Sequence, residues 1–116
     1  MKRIYLASPY SGTDQEQEER FHAVCRVAGK LINEGHVVYS PIAHSHPIAQ
    51  AFPDIGFDWK AWKRINTTFL EWADEVWVLM IDGWEESKGI KAEMEIAKEA
   101  RKPVVLIIPQ PRKEVT

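Results

Sequence analysis

Four short apolar runs, at residues 3–7, 36–40, 75–81 and 103–108, are separated by three amphipathic stretches, and this order constrains the fold more than any other feature of the chain. None of the runs alternates polar with apolar residues as a half-exposed strand does, so each reads as a strand covered on both faces. Strands of that kind, separated by helices, assemble into a parallel sheet between helical layers. The expectation is a three-layer α/β sandwich with a four- to five-stranded, mainly parallel sheet. Its 116 residues and 45% hydrophobic content suit one modest core. We read residues 1–109 as a single domain and 110–116 as a tail.

The helices are legible from their faces and their ends. Thr13 and Glu16 have the spacing of a capping box. Phe21, Val24, Cys25, Ala28, Leu31 and Ile32 then recur on one face until Gly35 supplies a stop. Residues 41–56, with His44, Ser45, His46 and Pro47, read as a long loop. A second helix over about 58–72 carries Trp59, Trp62, Ile65, Phe69 and Leu70 on its apolar side. A third, over about 87–101, places Ile90, Met94, Ile96, Ala97 and Ala100 on one broad arc.

Two polar residues fall inside those apolar arcs. Glu93 lands between Ala97 and Ala100, while Lys88, Lys91, Glu95, Lys98 and Glu99 share the opposite face. A carboxylate in that position must be paired, hydrogen-bonded or turned toward a cavity, because uncompensated burial is prohibitive. Asn66 falls among Trp62, Ile65, Phe69 and Leu70; a buried amide needs partners, which a loop carbonyl or a ligand can supply. In parallel sheets ligands bind beyond the carboxyl ends of the strands. Here those ends are the turn Ser8-Pro9-Tyr10-Ser11-Gly12, the segment after Ser40, and the loop Asp82-Gly83-Trp84-Glu85-Glu86-Ser87. Ser87 suits a helix N-cap, and free amides behind it suit an anion; the two roles are compatible. Trp84 offers an aromatic face for a planar base.

Composition narrows the function. A formal charge of −2 gives no reason to expect a nucleic-acid polymer or a membrane surface as partner. No segment approaches the roughly 20 apolar residues of a membrane span. Lys2 and Arg3 precede only a short apolar run, which is not the pattern of a secretory leader. The lone Cys25 forms no disulfide framework within the chain and fits a cytoplasmic setting. His44 and His46, without an obvious carboxylate or cysteine partner, make a weak metal signature, and we assign the pair to fixing the loop or touching ligand. The spacing of Gly83 and Gly89 is not that of a P-loop, so ATP hydrolysis is dismissed.

Taken together, several blocks resemble the nucleoside 2-deoxyribosyltransferase superfamily, in its short bacterial and phage branch. They are Ile4-Tyr5-Leu6-Ala7-Ser8-Pro9-Tyr10-Ser11, Gly35-His36-Val37-Val38-Tyr39-Ser40-Pro41 with His44-Ser45-His46-Pro47, Ala73-Asp74, and the run from Gly83 to Glu93. The resemblance implies a Rossmann- or flavodoxin-like sheet and an N-glycosidic-bond enzyme, hydrolase or transferase, in nucleotide metabolism. It implies that Glu93 is the nucleophile on the anomeric carbon and that Tyr5, placed at the end of the first strand, orients it. Ser87, with Gly89, would receive a 5′-phosphate where nucleoside transferases hold a 5′-hydroxyl with aspartate. Ser8, Pro9, Tyr10, Ser11, His44, Asp82, Gly83 and Trp84 would complete the substrate site. No cofactor or metal is implied, and a homodimer or homotetramer is.

The chain departs from the family pattern in two places. Asn66 stands where the family has an aspartate that holds ribose and assists the departing base, and an amide cannot protonate a leaving group. Asp58, Asp82 or a water is then needed in its place. Ser11 stands where the monophosphate hydrolases have an arginine. A non-catalytic nucleotide-binding module of the same fold is the alternative reading.

Overall fold

The computed structural model describes residues 1–109; the tail assigned to 110–116 lies outside them. The elements are β1 (Arg3–Ala7), α1 (Asp14–Asn33), β2 (Val37–Tyr39), α2 (Pro41–Ala51), a 3-10 turn at Pro53–Ile55, α3 (Trp59–Trp72), β3 (Glu75–Leu79), α4 (Lys88–Glu99) and β4 (Val104–Ile107). The sheet runs β2-β1-β3-β4 and every pair is parallel. The expected three-layer α/β sandwich is what forms, with four strands among the described residues.

Register sorts the side chains. Tyr5 pairs with Tyr39 on one side and Val76 on the other, and Ala7 pairs with Val78. Tyr5, Ala7, Val76 and Val78 therefore share a face, packed against Leu70 of α3 and Ile90 and Ala97 of α4. Leu6 and Leu79 face the other way, onto Val24, Val27, Ala28 and Leu31 of α1. Both faces are covered, which is why the strands read as continuously apolar. Ile32, expected on the packed face of α1, is largely exposed.

The helix ends follow the local chemistry. Thr13 Oγ1 accepts from Glu16 N at 3.1 Å and the Glu16 carboxylate accepts from Thr13 N at 3.0 Å, the reciprocal pair expected of a capping box. Gly35, with φ of 100°, turns the chain out of α1 as its sequence position predicts. At the far end of α3, the Lys102 ammonium donates to the carbonyls of Leu70, Glu71 and Ala73 at 2.5–2.7 Å. It satisfies carbonyls that the helix leaves unpaired, where a cation is also favoured by the helix dipole. Lys102→Met is expected to lower stability by about 2 kcal/mol, measured by urea unfolding, with little change at the cavity described below.

One expected element is corrected. Residues 41–51 are not loop but α2, and the 3-10 turn follows at 53–55. Pro47 argues against a helix, since proline lacks the N–H that would bond the carbonyl four residues back. It is tolerated because it sits exposed in a short helix whose start is strongly specified. Ser40 Oγ accepts from Ala43 N at 3.1 Å, and Pro41 occupies the first turn, where its missing N–H has no partner to lose.

Candidate active site

The β1–α1–β2 connection leaves β1 toward one edge of the sheet, and β3–α4–β4 extends toward the other. The order reverses between β1 and β3, and at such a switch point the diverging loops open a crevice beyond the strand ends. A cavity of about 380 Å³ lies there, within the range of small-molecule sites. Its walls come from four places. Ser8, Tyr10 and Ser11 follow β1; Pro41, Ile42 and Ser45 belong to α2; Phe57, Asp58, Trp59, Trp62 and Asn66 precede or belong to α3; Ser87, Gly89 and Glu93 open α4.

Glu93 is the chemical anomaly of this cavity. Its residue is 4% exposed, and its Oε2 is buried without a hydrogen-bond partner. Gly89 sits one turn earlier on the same face, and a Cβ there would lie 3.9 Å from Glu93 Oε1 and 3.8 Å from Ser87 Oγ. A side chain larger than a methyl group would invade the space in front of the carboxylate. Burial drives the Glu93 pKa up to about 8, and the adjacent Tyr5 hydroxyl pulls it partly back by hydrogen bonding to the charged form. The pair falls short of closed hydrogen-bond geometry, since the Tyr5 hydroxyl is buried with no bonded partner. Tyr5 is the middle residue of β1 rather than its last, aimed onto the α3–α4 face of the sheet. Burial first, and then the Glu93 charge, push its pKa well above that of a free phenol. Tyr39 is raised to about 12 by the same two causes in the same order.

Asn66 is 6% exposed and its Oδ1, an acceptor, is buried without a donor. Ser8 Oγ is likewise buried and unpartnered. Among the described residues five buried side-chain atoms lack partners, and four of them belong to Tyr5, Ser8, Asn66 and Glu93. Buried polar groups are normally satisfied. Three of the four, on Ser8, Asn66 and Glu93, line the one cavity, and Tyr5 lies beside Glu93. Ser87 caps α4 as expected, its Oγ accepting from Ile90 N at 3.2 Å, and the amides of Lys88 and Gly89 lie in the unpaired first turn.

The other candidates are distributed differently. Pro9 and Gly83 line an adjoining cleft that shares Tyr10, Ser11, Ser87 and Lys88 with the cavity and adds Arg20 from α1. Arg20 donates to the carbonyls of Ser11 and Asp82, tying the loops after β1 and β3 together. Gly83, with φ of 90°, passes so close that a Cβ would meet Arg20 Nη2 at 2.8 Å. Asp82 is exposed in a separate hollow. Trp84, expected to offer its face to a base in the crevice, instead packs against the core cluster containing Ile90. His44 is exposed beside Tyr39, its Nδ1 3.4 Å from the Tyr39 hydroxyl, and does not line the cavity. His46 is buried, with both ring nitrogens engaged by Tyr10 and Glu18. Among the described residues no cluster of three histidine, cysteine or acidic side chains is arranged around a common metal position. Nor is any helix there long and apolar enough to cross a membrane. Trp59 and Tyr10 do line the cavity, and the sequence reading missed Phe57, Trp62 and Ser45 beside them. Trp62 was assigned to the core; its Nε1 donates to Gly56 O at 2.9 Å, which fixes its ring at the wall.

Residues 2–108 match the model of a family described as a domain of unknown function, DUF1937. The chain belongs to the DUF1937 family. None of the curated proteins matches it in sequence. Among solved structures, this DUF1937 domain is similar to a 2-deoxyribosyltransferase from the psychrotolerant bacterium Bacillus psychrosaccharolyticus. The two are 24% identical with a TM-score of 0.58, over 97% of this chain and 77% of the other. The resemblance drawn from the sequence to the nucleoside 2-deoxyribosyltransferase superfamily therefore holds at the level of the fold.

Proposed function

We propose that this DUF1937 domain cleaves the N-glycosidic bond of a nucleoside 5′-monophosphate or nucleoside, passing the (deoxy)ribosyl group to water or to a second base. The observation that carries this reading is the buried, unpartnered Glu93 carboxylate facing a cavity at the β1/β3 switch point. Glu93 attacks C1′, the C1′–N bond breaks with its electron pair leaving on the base, and a glycosyl ester of Glu93 forms. An acceptor then displaces the ester. This is the two-step logic of retaining glycosidases, which replaces one hard displacement by two easier ones. Tyr5 orients the carboxylate, and Asn66 hydrogen-bonds sugar or base. Trp59, Trp62 and Phe57 give the base an aromatic wall in the place first assigned to Trp84.

The 5′ end is assigned to Ser87 and Gly89 at the start of α4, with Ser8 and Ser11 across from them. Arg20 and Lys88 in the adjoining cleft supply two positive charges against the one carboxylate of Glu86, where the first loop has Ser11. Both features favour a phosphate. Ser87→Asp is expected to shift the ratio of kcat/KM for monophosphate over nucleoside down by ten- to a hundredfold, the loss of roughly one charge-assisted contact of about 1.5–3 kcal/mol.

Chromatography of free base after incubation with a panel of ribo- and deoxyribonucleotides tests the reading. Base release that survives at full rate in Glu93→Ala would refute it. The second reading, a nucleotide-binding module without catalysis, is favoured by one observation: Asn66 cannot donate the proton that a departing base needs. Under that reading nucleotides bind and no base appears. The homodimer or homotetramer that the resemblance implies is checked by sedimentation, and the lone Cys25 suits a cytoplasmic site of action.

A further inference from the structure

The proposed chemistry needs a proton donor for the departing base, and of the two acids nominated from the sequence one is engaged as a helix cap and the other lies outside the cavity. Asp58 lines the cavity, but its Oδ1 caps α3 by accepting from Ala61 N at 2.9 Å. Asp82 lies in a separate hollow. A different set of groups meets behind the cavity lining at Tyr10. Glu18 of α1 bonds His46 of α2, Oε2 to Nε2, at 2.8 Å. His46 Nδ1 bonds the Tyr10 hydroxyl. The imidazole is 3% exposed, stacked on Phe21 at 4.4 Å between ring centres and set edge-on to Tyr10. Tyr10 is the member that reaches the cavity wall.

We propose that Tyr10 is the general acid toward the leaving base, recharged through His46 and Glu18; this rests on the glycosidic reading above. An imidazole bonded to a hydroxyl through one nitrogen exchanges a proton with it, while a carboxylate on the other nitrogen orients the ring and stabilises the imidazolium form without taking the proton. As the C1′–N bond breaks, the electron pair on the base nitrogen takes the Tyr10 proton. The Tyr10 oxygen takes the Nδ1 proton of the His46 imidazolium, which becomes neutral. In the second half-reaction the water that attacks C1′ gives a proton to the Tyr10 oxygen, and the proton Tyr10 held returns to Nδ1. The sum is one water consumed, one protonated base released, and the relay restored. Tyr10 itself is held un-ionised at rest, raised to about 12 by burial and then by Glu18 and Asp14. Glu18 is held below the ordinary carboxylate range, first by its His46 bond. Tyr10 is the catalytic residue of the set; His46 and Glu18 act through it.

The test compares leaving groups. Base release from purine and pyrimidine nucleoside monophosphates is measured beside 4-nitrophenol release from a 4-nitrophenyl (deoxy)riboside 5′-phosphate, which departs without a proton. Tyr10→Phe is expected to slow base release by about 10²–10⁴-fold in kcat and to leave nitrophenol release within a few-fold. His46→Gln and Glu18→Gln should reproduce the same selective loss more weakly. Thermal unfolding of each variant reports folding, and nitrophenol release itself shows that the site is intact. Equal losses for both kinds of leaving group would overturn the relay and leave Tyr10 as wall only, with Glu93→Ala still silencing every substrate. No release of any base or of nitrophenol by the wild-type protein would overturn the glycosidic reading, and the relay with it.

Discussion

Replacing Glu93 by glutamine is expected to reduce base release by roughly 10⁴-fold or more, measured by single-turnover chromatography, while nucleotide binding by calorimetry changes little. The substitution keeps the shape of the side chain and its place opposite Gly89, so the cavity survives. It replaces the carboxylate nucleophile by a neutral amide, which does not form the ester to C1′. Because burial lifts Glu93 to about 8, the nucleophile in the free protein is mostly protonated at neutral pH. The acid limb of kcat/KM should therefore rise through about pH 8, and the limb disappears in the glutamine variant along with the activity. Tyr5→Phe takes away the one neighbour that favours the charged form, which should move that limb further up.

The same variant should be the more stable protein wherever the native carboxylate is being forced to ionise. A native pKa of about 8 against 4.5 in a free side chain means that the folded state holds a proton that the unfolded chain releases. Stability then falls as pH rises. The contribution of protonated Glu93 is fully present below about pH 4.5, declines between 4.5 and 8, and is gone above 8. The wild type should lose on the order of 4 kcal/mol across that window relative to Glu93→Gln, at about 1.4 kcal/mol per pKa unit. Glu16, Glu18, Asp74 and Glu75 titrate in the opposite sense, each held below its usual value by hydrogen bonds, so they stabilise above their unfolded pKa values and lose that effect on acidification. They are common to both proteins and cancel in the difference. Paired urea titrations at pH 5 and pH 8.5 read the effect, and parallel curves for the two proteins would mean that the carboxylate is not desolvated.

What the sequence made legible follows from the range of the forces involved. The strands and three of the helices are set by local periodicity, and they appear where periodicity places them. Glu93 and Asn66 were visible because a polar residue in an apolar arc breaks a pattern within a few turns of one helix. Segment 41–51 was misread because Pro47 is a strong local signal against a helix, and it outweighed the Ser40-Pro41 start that in fact decides the matter. The contacts among Tyr10, His46 and Glu18 were not legible at all. They depend on α1 and α2 packing side by side, and nothing within eleven residues of His46 announces Glu18 as its partner. Trp84 and Trp62 exchanged roles for a similar reason. Both are apolar rings near the cavity, and only the tertiary packing decides that Trp84 goes to the core and Trp62 to the wall.

The central claim is that Glu93 forms a bond to the sugar. A 2-fluoro substituent slows both glycosyl steps by destabilising positive charge at C1′, and a nucleotide whose base departs readily keeps the first step the faster. Incubation with a 2′-deoxy-2′-fluoro nucleoside 5′-monophosphate of that kind, followed by peptide mass spectrometry, should show one fluorosugar phosphate attached to the peptide carrying Glu93, and to that residue within it. Base released with no adduct, or an adduct on any other side chain, would contradict the account.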